Sequence, residues 1–92
     1  MSDFLDRLIA LIADRKANPQ EGSYTNTLLA DRTKVAQKVG EEATEVIVAA
    51  LAQSDERLIA EMADLVYHSL VLLAARGLSW TDVVAELEKR HR

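Results

Sequence analysis

Cysteine is absent from the 92 residues, so neither a disulfide nor a thiolate metal site can add stability. The single proline, Pro19, stands with Gly22 in the only polar, breaker-rich stretch, residues 18–26. Strand-type alternation occurs nowhere. A net charge of −4 with a pI near 5.1 argues against a general nucleic-acid binder, because phosphate affinity needs a concentrated basic face. A small anionic substrate carried on a metal remains compatible with that charge. No apolar run approaches the length of a membrane span, and the N-terminus lacks the basic-then-apolar order of a signal peptide. The expectation is a cytoplasmic protein with no membrane partner, folded as one domain over residues 1–92. A chain this short builds a marginal core, and a homodimer is the expected remedy.

What is present is helical periodicity. Phe4, Leu5, Leu8, Ile9, Leu11 and Ile12, with charges between them, predict an amphipathic helix over residues 3–17, capped by Ser2 or Asp3. After it, Ser23, Tyr24, Thr25 and Asn26 offer hydrogen-bonding groups to a ligand from a loop, or else form a turn that caps a helical turn at residues 27–30. A second helix over residues 31–52 carries Val35, Val39, Val46 and Ala49 in one stripe, with Glu42 in its middle, where a solvated charge does not belong. Lys34, Lys38, Glu41 and Glu45 follow one edge of the stripe and read also as ordinary ion pairs. Gly40 costs that helix up to about 1 kcal/mol relative to Ala, which suggests close approach of another backbone or a ligand.

Ser54 or Asp55 caps a third helix over residues 55–76, stopped by Gly77. Residues 65–75 are apolar nearly all round and need cover on more than one side, which a second subunit would supply. His68, amid Leu65, Val66, Val71 and Leu72, reads as a packed or substrate-contacting residue before a metal ligand. Ser79 and Asp82 form a capping box for a last helix with Trp80, Val83, Val84 and Leu87 inward. Its basic tail suits the helix dipole, with a phosphate contact from Arg90 as the other reading. The expected architecture is an all-α four-helix bundle, the second and third helices forming a central antiparallel hairpin.

Glu42 and Glu45 are three residues apart, as are Glu61 and Asp64, so each pair shares a helix face. With a turn at residues 53–54, Glu45 and Glu61 lie about 12 and 11 Å from it, and Glu42 and Asp64 about 16 and 15 Å, at about 1.5 Å per residue. Four carboxylates therefore converge on one patch. They repel unless something positive sits among them, and a hard cation, Mg²⁺ or Mn²⁺, meets that need. Glu-x-x-His elements of the di-iron bundles are missing, since neither pair has histidine at the third position. Magnesium with a nucleotide or polyphosphate ligand fits better.

The run Glu41-Glu42-Ala43-Thr44-Glu45 followed by Glu61-Met62-Ala63-Asp64 resembles the EExxE and ExxD signature of the MazG-like all-α nucleotide pyrophosphohydrolases. More narrowly, Ser23-Tyr24-Thr25, Lys38-Val39-Gly40-Glu41-Glu42-Ala43, Ala63-Asp64-Leu65-Val66-Tyr67-His68 and Val71-Leu72-Leu73 resemble the phosphoribosyl-ATP pyrophosphohydrolase family. Gln37 stands where a second lysine is expected. The resemblance implies Mg²⁺-dependent cleavage of the α–β phosphoanhydride of phosphoribosyl-ATP, the second step of histidine biosynthesis. On that reading Glu42, Glu45, Glu61 and Asp64 hold the metal, and Glu41 positions or deprotonates water. Lys38, with Lys34, offsets charge on the leaving pyrophosphate. Ser23, Tyr24, Thr25 and Asn26 take the ribose-phosphate end, and His68 joins the substrate contacts. Two rivals share parts of this pattern: a housekeeping nucleoside triphosphate pyrophosphohydrolase, and a non-catalytic helical dimerisation module holding a structural ion.

Overall fold

Side-chain caps set where the helices begin. The computed structural model describes residues 3–92, and among them five helices form and no strand. They are α1 (Asp3–Ala17), α2 (Tyr24–Leu29), α3 (Arg32–Ala52), α4 (Asp55–Ala75) and α5 (Trp80–Arg90). The Ser2 capping assignment lies outside the described residues. Asp31 Oδ1 accepts from Lys34 N–H at 3.1 Å and Ser54 Oγ from Arg57 N–H at 3.2 Å, which satisfies donors the first helical turn cannot pair. At the start of α5, Asp82 accepts from Ser79 N–H at 2.9 Å. At the far end of α4, Gly77 adopts φ +74°, a conformation glycine reaches without steric cost. That lets Leu78 N–H reach the Leu73 carbonyl at 2.8 Å and Gly77 N–H the Ala74 carbonyl at 3.0 Å, closing the helix.

The count of four helices was one short. Residues expected to stay as a loop up to a turn at 27–30 instead enter α2 at Tyr24, with Ser23 Oγ accepting from Asn26 N–H at 3.2 Å. Six residues cannot hold a helix alone, so tertiary contacts carry it. Leu28 is fully buried, Tyr24 bonds to His68 and Thr25 to Tyr67.

α3 and α4, joined by Gln53 and Ser54, pack along their lengths as an antiparallel hairpin. α1, α2 and α3 all lie against α4, so this chain itself covers several sides of the helix whose apolar surface runs nearly all round. The core is Ile12, Leu28, Val35, Leu70 and Val71, with Leu5, Leu8, Val66 and Trp80 packed around it. Lys16 Nζ donates to the Ala74 carbonyl at 2.6 Å, tying the end of α1 to the last turn of α4. α5 contributes no buried residue, and Leu87, expected inward, is half exposed. Arg90 is taken by Glu86, Nε donating to Oε2 at 2.8 Å. α4 is long and apolar enough, by length and composition only, to cross a membrane, although Glu61 and Asp64 interrupt its apolar run.

Gly40 lies exposed on α3, with nothing within 4 Å of where a Cβ would project, so no close approach within the chain requires glycine. Gly40→Ala should therefore raise unfolding free energy by up to about 1 kcal/mol, read from urea denaturation.

Candidate active site

The α3–α4 hairpin creates the site. Glu42 falls between Val35 and Ala49 on the buried stripe of α3 and is only 7% exposed. Glu61, one face of α4 opposite, is 4% exposed. With the exposed Glu45, they bring one carboxylate oxygen each to within 4.8 Å of one another. Burying such groups costs several kcal/mol unless they are paired. Two cations stand at the rim. Lys38 Nζ lies 3.2 Å from Glu42 Oε1 and 3.4 Å from Glu41, one turn along the same helix. Arg57 donates to Glu61 Oε1 from one turn earlier on α4.

Titration follows this geometry. The Glu42 carboxylate beside it raises the Lys38 ammonium above its usual value against an opposing effect of burial, so Lys38 stays charged. Glu61 is pushed up from the carboxylate range, first by the neighbouring Glu45 carboxyl, then by burial. Arg57 pulls the other way without overcoming them. Glu61 Oε2 is buried and has no hydrogen-bond partner. A buried carboxylate oxygen without a hydrogen-bond partner, on a residue grouped with two further carboxylates, fits the binding of a cation, and three hard oxygen donors suit Mg²⁺.

The fourth acidic residue, Asp64, is exposed and outside the trio, although close enough to act on Glu61 electrostatically. Lys34 is exposed near the start of α3. The polar loop residues are not equivalent. Asn26 is engaged at both ends, its Oδ1 accepting from Gln20 N–H at 2.8 Å and its Nδ2 donating to the Arg15 carbonyl at 2.7 Å. His68 is 5% exposed, and both ring nitrogens have partners: Nδ1 is 2.7 Å from the Asp64 carbonyl and Nε2 3.0 Å from the Tyr24 hydroxyl. Tyr24, Tyr67 and His68 form one aromatic cluster, with centroids 5.1 to 6.4 Å apart.

Sequence reasoning missed Arg57 and Tyr67. A cavity of about 280 Å³ beside the trio is lined by Glu45, Val48, Gln53, Arg57 and Glu61, so Arg57 belongs to the site. Its signal was available, since Arg57 stands four residues before Glu61, the spacing at which helix side chains meet.

An all-helical chain that converges carboxylates from two antiparallel helices, rimmed by a lysine and an arginine, has the donor set of a protein that handles an anion through a hard cation. Comparison with known proteins gives the particular family. The family described as phosphoribosyl-ATP pyrophosphohydrolase matches residues 5–91, and the chain belongs to it. A protein named phosphoribosyl-ATP pyrophosphatase from Methanocella arvoryzae is 45% identical over 95 aligned positions, covering 100% of both chains. Another of that name, from Sulfurisphaera tokodaii, is 52% identical and covers 97% of this chain and 96% of its own. The histidine biosynthesis bifunctional protein HisIE of Xanthomonas campestris is 50% identical over 99% of this chain, which spans 45% of that longer protein.

Proposed function

We propose that this chain hydrolyses the α–β phosphoanhydride of phosphoribosyl-ATP, giving phosphoribosyl-AMP and pyrophosphate, as a cytoplasmic, Mg²⁺-dependent homodimer of single-domain subunits. Family membership and the names of its relatives support the reaction as a step of histidine biosynthesis. The observation that supports the metal is the buried, unpartnered Glu61 Oε2, on a residue whose carboxylate is grouped with those of Glu42 and Glu45. Glu42, Glu45 and Glu61 would hold the ion directly, and the exposed Asp64 through water. When bound, Mg²⁺ supplies positive charge that polarises phosphate oxygens and acidifies water.

The chain's own groups do the rest. Glu41, exposed beside Lys38, orients or deprotonates the attacking water. Lys38 stays charged and meets the negative charge that develops on the departing pyrophosphate, with Lys34 further along the same helix. Arg57 fixes the Glu61 carboxylate by one oxygen and leaves the other to the site. Arg57→Ala should therefore raise the magnesium concentration for half-maximal activity about 10-fold, as loss of a partner behind a metal ligand does. A magnesium titration of both enzymes reads that shift.

Association is supported by surface. The chain exposes 6412 Å², against about 5300 Å² for a compact monomer of this mass. Phe4, Ile47, Leu51, Ile59 and Met62 are among the large apolar side chains left open.

Pyrophosphate release from phosphoribosyl-ATP, with ATP and dCTP as controls and with and without Mg²⁺, tests the reading. Metal-dependent release from phosphoribosyl-ATP alone is expected. Release mainly from dCTP would move the enzyme to the housekeeping class, and no release from a folded, metal-binding protein would favour the dimerisation module.

A further inference from the structure

With the His68 ring neutral, its hydrogen bonds fix which way each proton points. A backbone carbonyl can only accept, so the 2.7 Å contact between His68 Nδ1 and the Asp64 carbonyl places a proton on Nδ1. In the neutral ring Nε2 is then an acceptor. The Tyr24 hydroxyl, 3.0 Å away, must donate its only proton to Nε2. Its oxygen keeps lone pairs and nothing to donate. His68 is 5% exposed and held from both sides, so the arrangement is locked, whereas the Tyr24 side is open, the residue being 49% exposed.

Position makes this matter. Tyr24 is held by His68, whose ring is in turn held at 2.7 Å by the backbone carbonyl of Asp64, three residues beyond Glu61 on the same helix. The Tyr24 oxygen therefore borders the site described above. A phosphate oxygen presents only acceptors and would be repelled by an acceptor-only hydroxyl, whereas a sugar hydroxyl would be bound. Ser23 is the contrast. Its oxygen already accepts from Asn26 N–H, which leaves its O–H as the group available to donate to an anion.

We propose that Tyr24 is a specificity residue whose hydroxyl oxygen accepts a hydrogen bond from a ribose hydroxyl of the substrate, not one that contacts phosphate, and that His68 is the positioning residue that enforces this. The inference deepens the phosphoribosyl-ATP reading and rests on it. The test uses the full chain with Mg²⁺, comparing wild type and Tyr24→Phe on phosphoribosyl-ATP and on its four single-deoxy analogues, 2′ or 3′ in either ribose. Wild type should prefer the parent over one analogue by about tenfold in kcat/KM, the worth of one hydrogen bond, and Tyr24→Phe should lose that preference. Because each preparation is read against itself, partial unfolding cancels from the ratio.

Inhibition by pyrophosphate should be the same in both enzymes. An unchanged preference in Tyr24→Phe, no preference in wild type, or pyrophosphate inhibition weakened as much as parent turnover would each overturn the assignment while leaving the enzyme's activity established. Failure of wild type to hydrolyse phosphoribosyl-ATP would instead overturn the substrate reading, and this one with it.

Discussion

Glu42→Gln should lower magnesium-dependent pyrophosphate release from phosphoribosyl-ATP by more than about 100-fold, because on the proposed assignment it removes an oxygen that holds the metal and not merely a partner behind one. Shape is nearly conserved, so the buried stripe from Val35 to Ala49 keeps its packing and the far-ultraviolet circular dichroism should not change. Lys38 is not stranded either, since Glu41 remains 3.4 Å away. The loss therefore reports on chemistry. Turnover at saturating magnesium is the measurement, and near-wild-type activity would remove Glu42 from the site.

Glu61→Gln makes the metal-free protein more stable at neutral pH while destroying its stabilisation by metal. Glu61 is held above its unfolded value of 4.5, chiefly by the Glu45 carboxyl and then by burial, so the folded state binds its proton more tightly than the unfolded chain does. That stabilising contribution is complete below 4.5 and is lost as pH rises through the raised folded value. Glutamine is neutral throughout, so the advantage of the variant grows across that window and persists above it. The ion pair lost with Arg57 offsets little, since that guanidinium is 57% exposed. Without metal, Tm at pH 8 should rise by a few degrees in the variant. With Mg²⁺ the order reverses, because only wild type gains from the bound ion. Equal Tm values for the two proteins in chelator at pH 8 would contradict this account of Glu61.

A single unsatisfied group thus links sequence pattern to function. On the proposed reading, carboxylates that repel one another in the isolated chain are completed by a cation and the phosphate it carries. The residues around them share out fixed tasks: Lys38 and Arg57 hold carboxylates, while His68 orients a hydroxyl.

The sequence by itself determined the long helices, their caps and the convergence of Glu42, Glu45 and Glu61. These follow from local rules: 3.6-residue periodicity, side-chain oxygens placed before helical turns, and a fixed rise per residue that makes positions on a two-residue hairpin level. The Glu42 anomaly was legible because a charge within an apolar stripe breaks a strong local pattern. Tertiary structure alone decided the rest. α2 is too short to nucleate on its own propensity, and exists because Leu28, Tyr24 and Thr25 bond to or bury against residues more than 40 positions away. Asp64 shares the α4 sequence face of Glu61 yet stays exposed, because helix rotation against α3 is set by packing and not by spacing. The same packing gave Asn26 two backbone partners and made His68 a lock for Tyr24, outcomes that depend on which donor meets which acceptor in space.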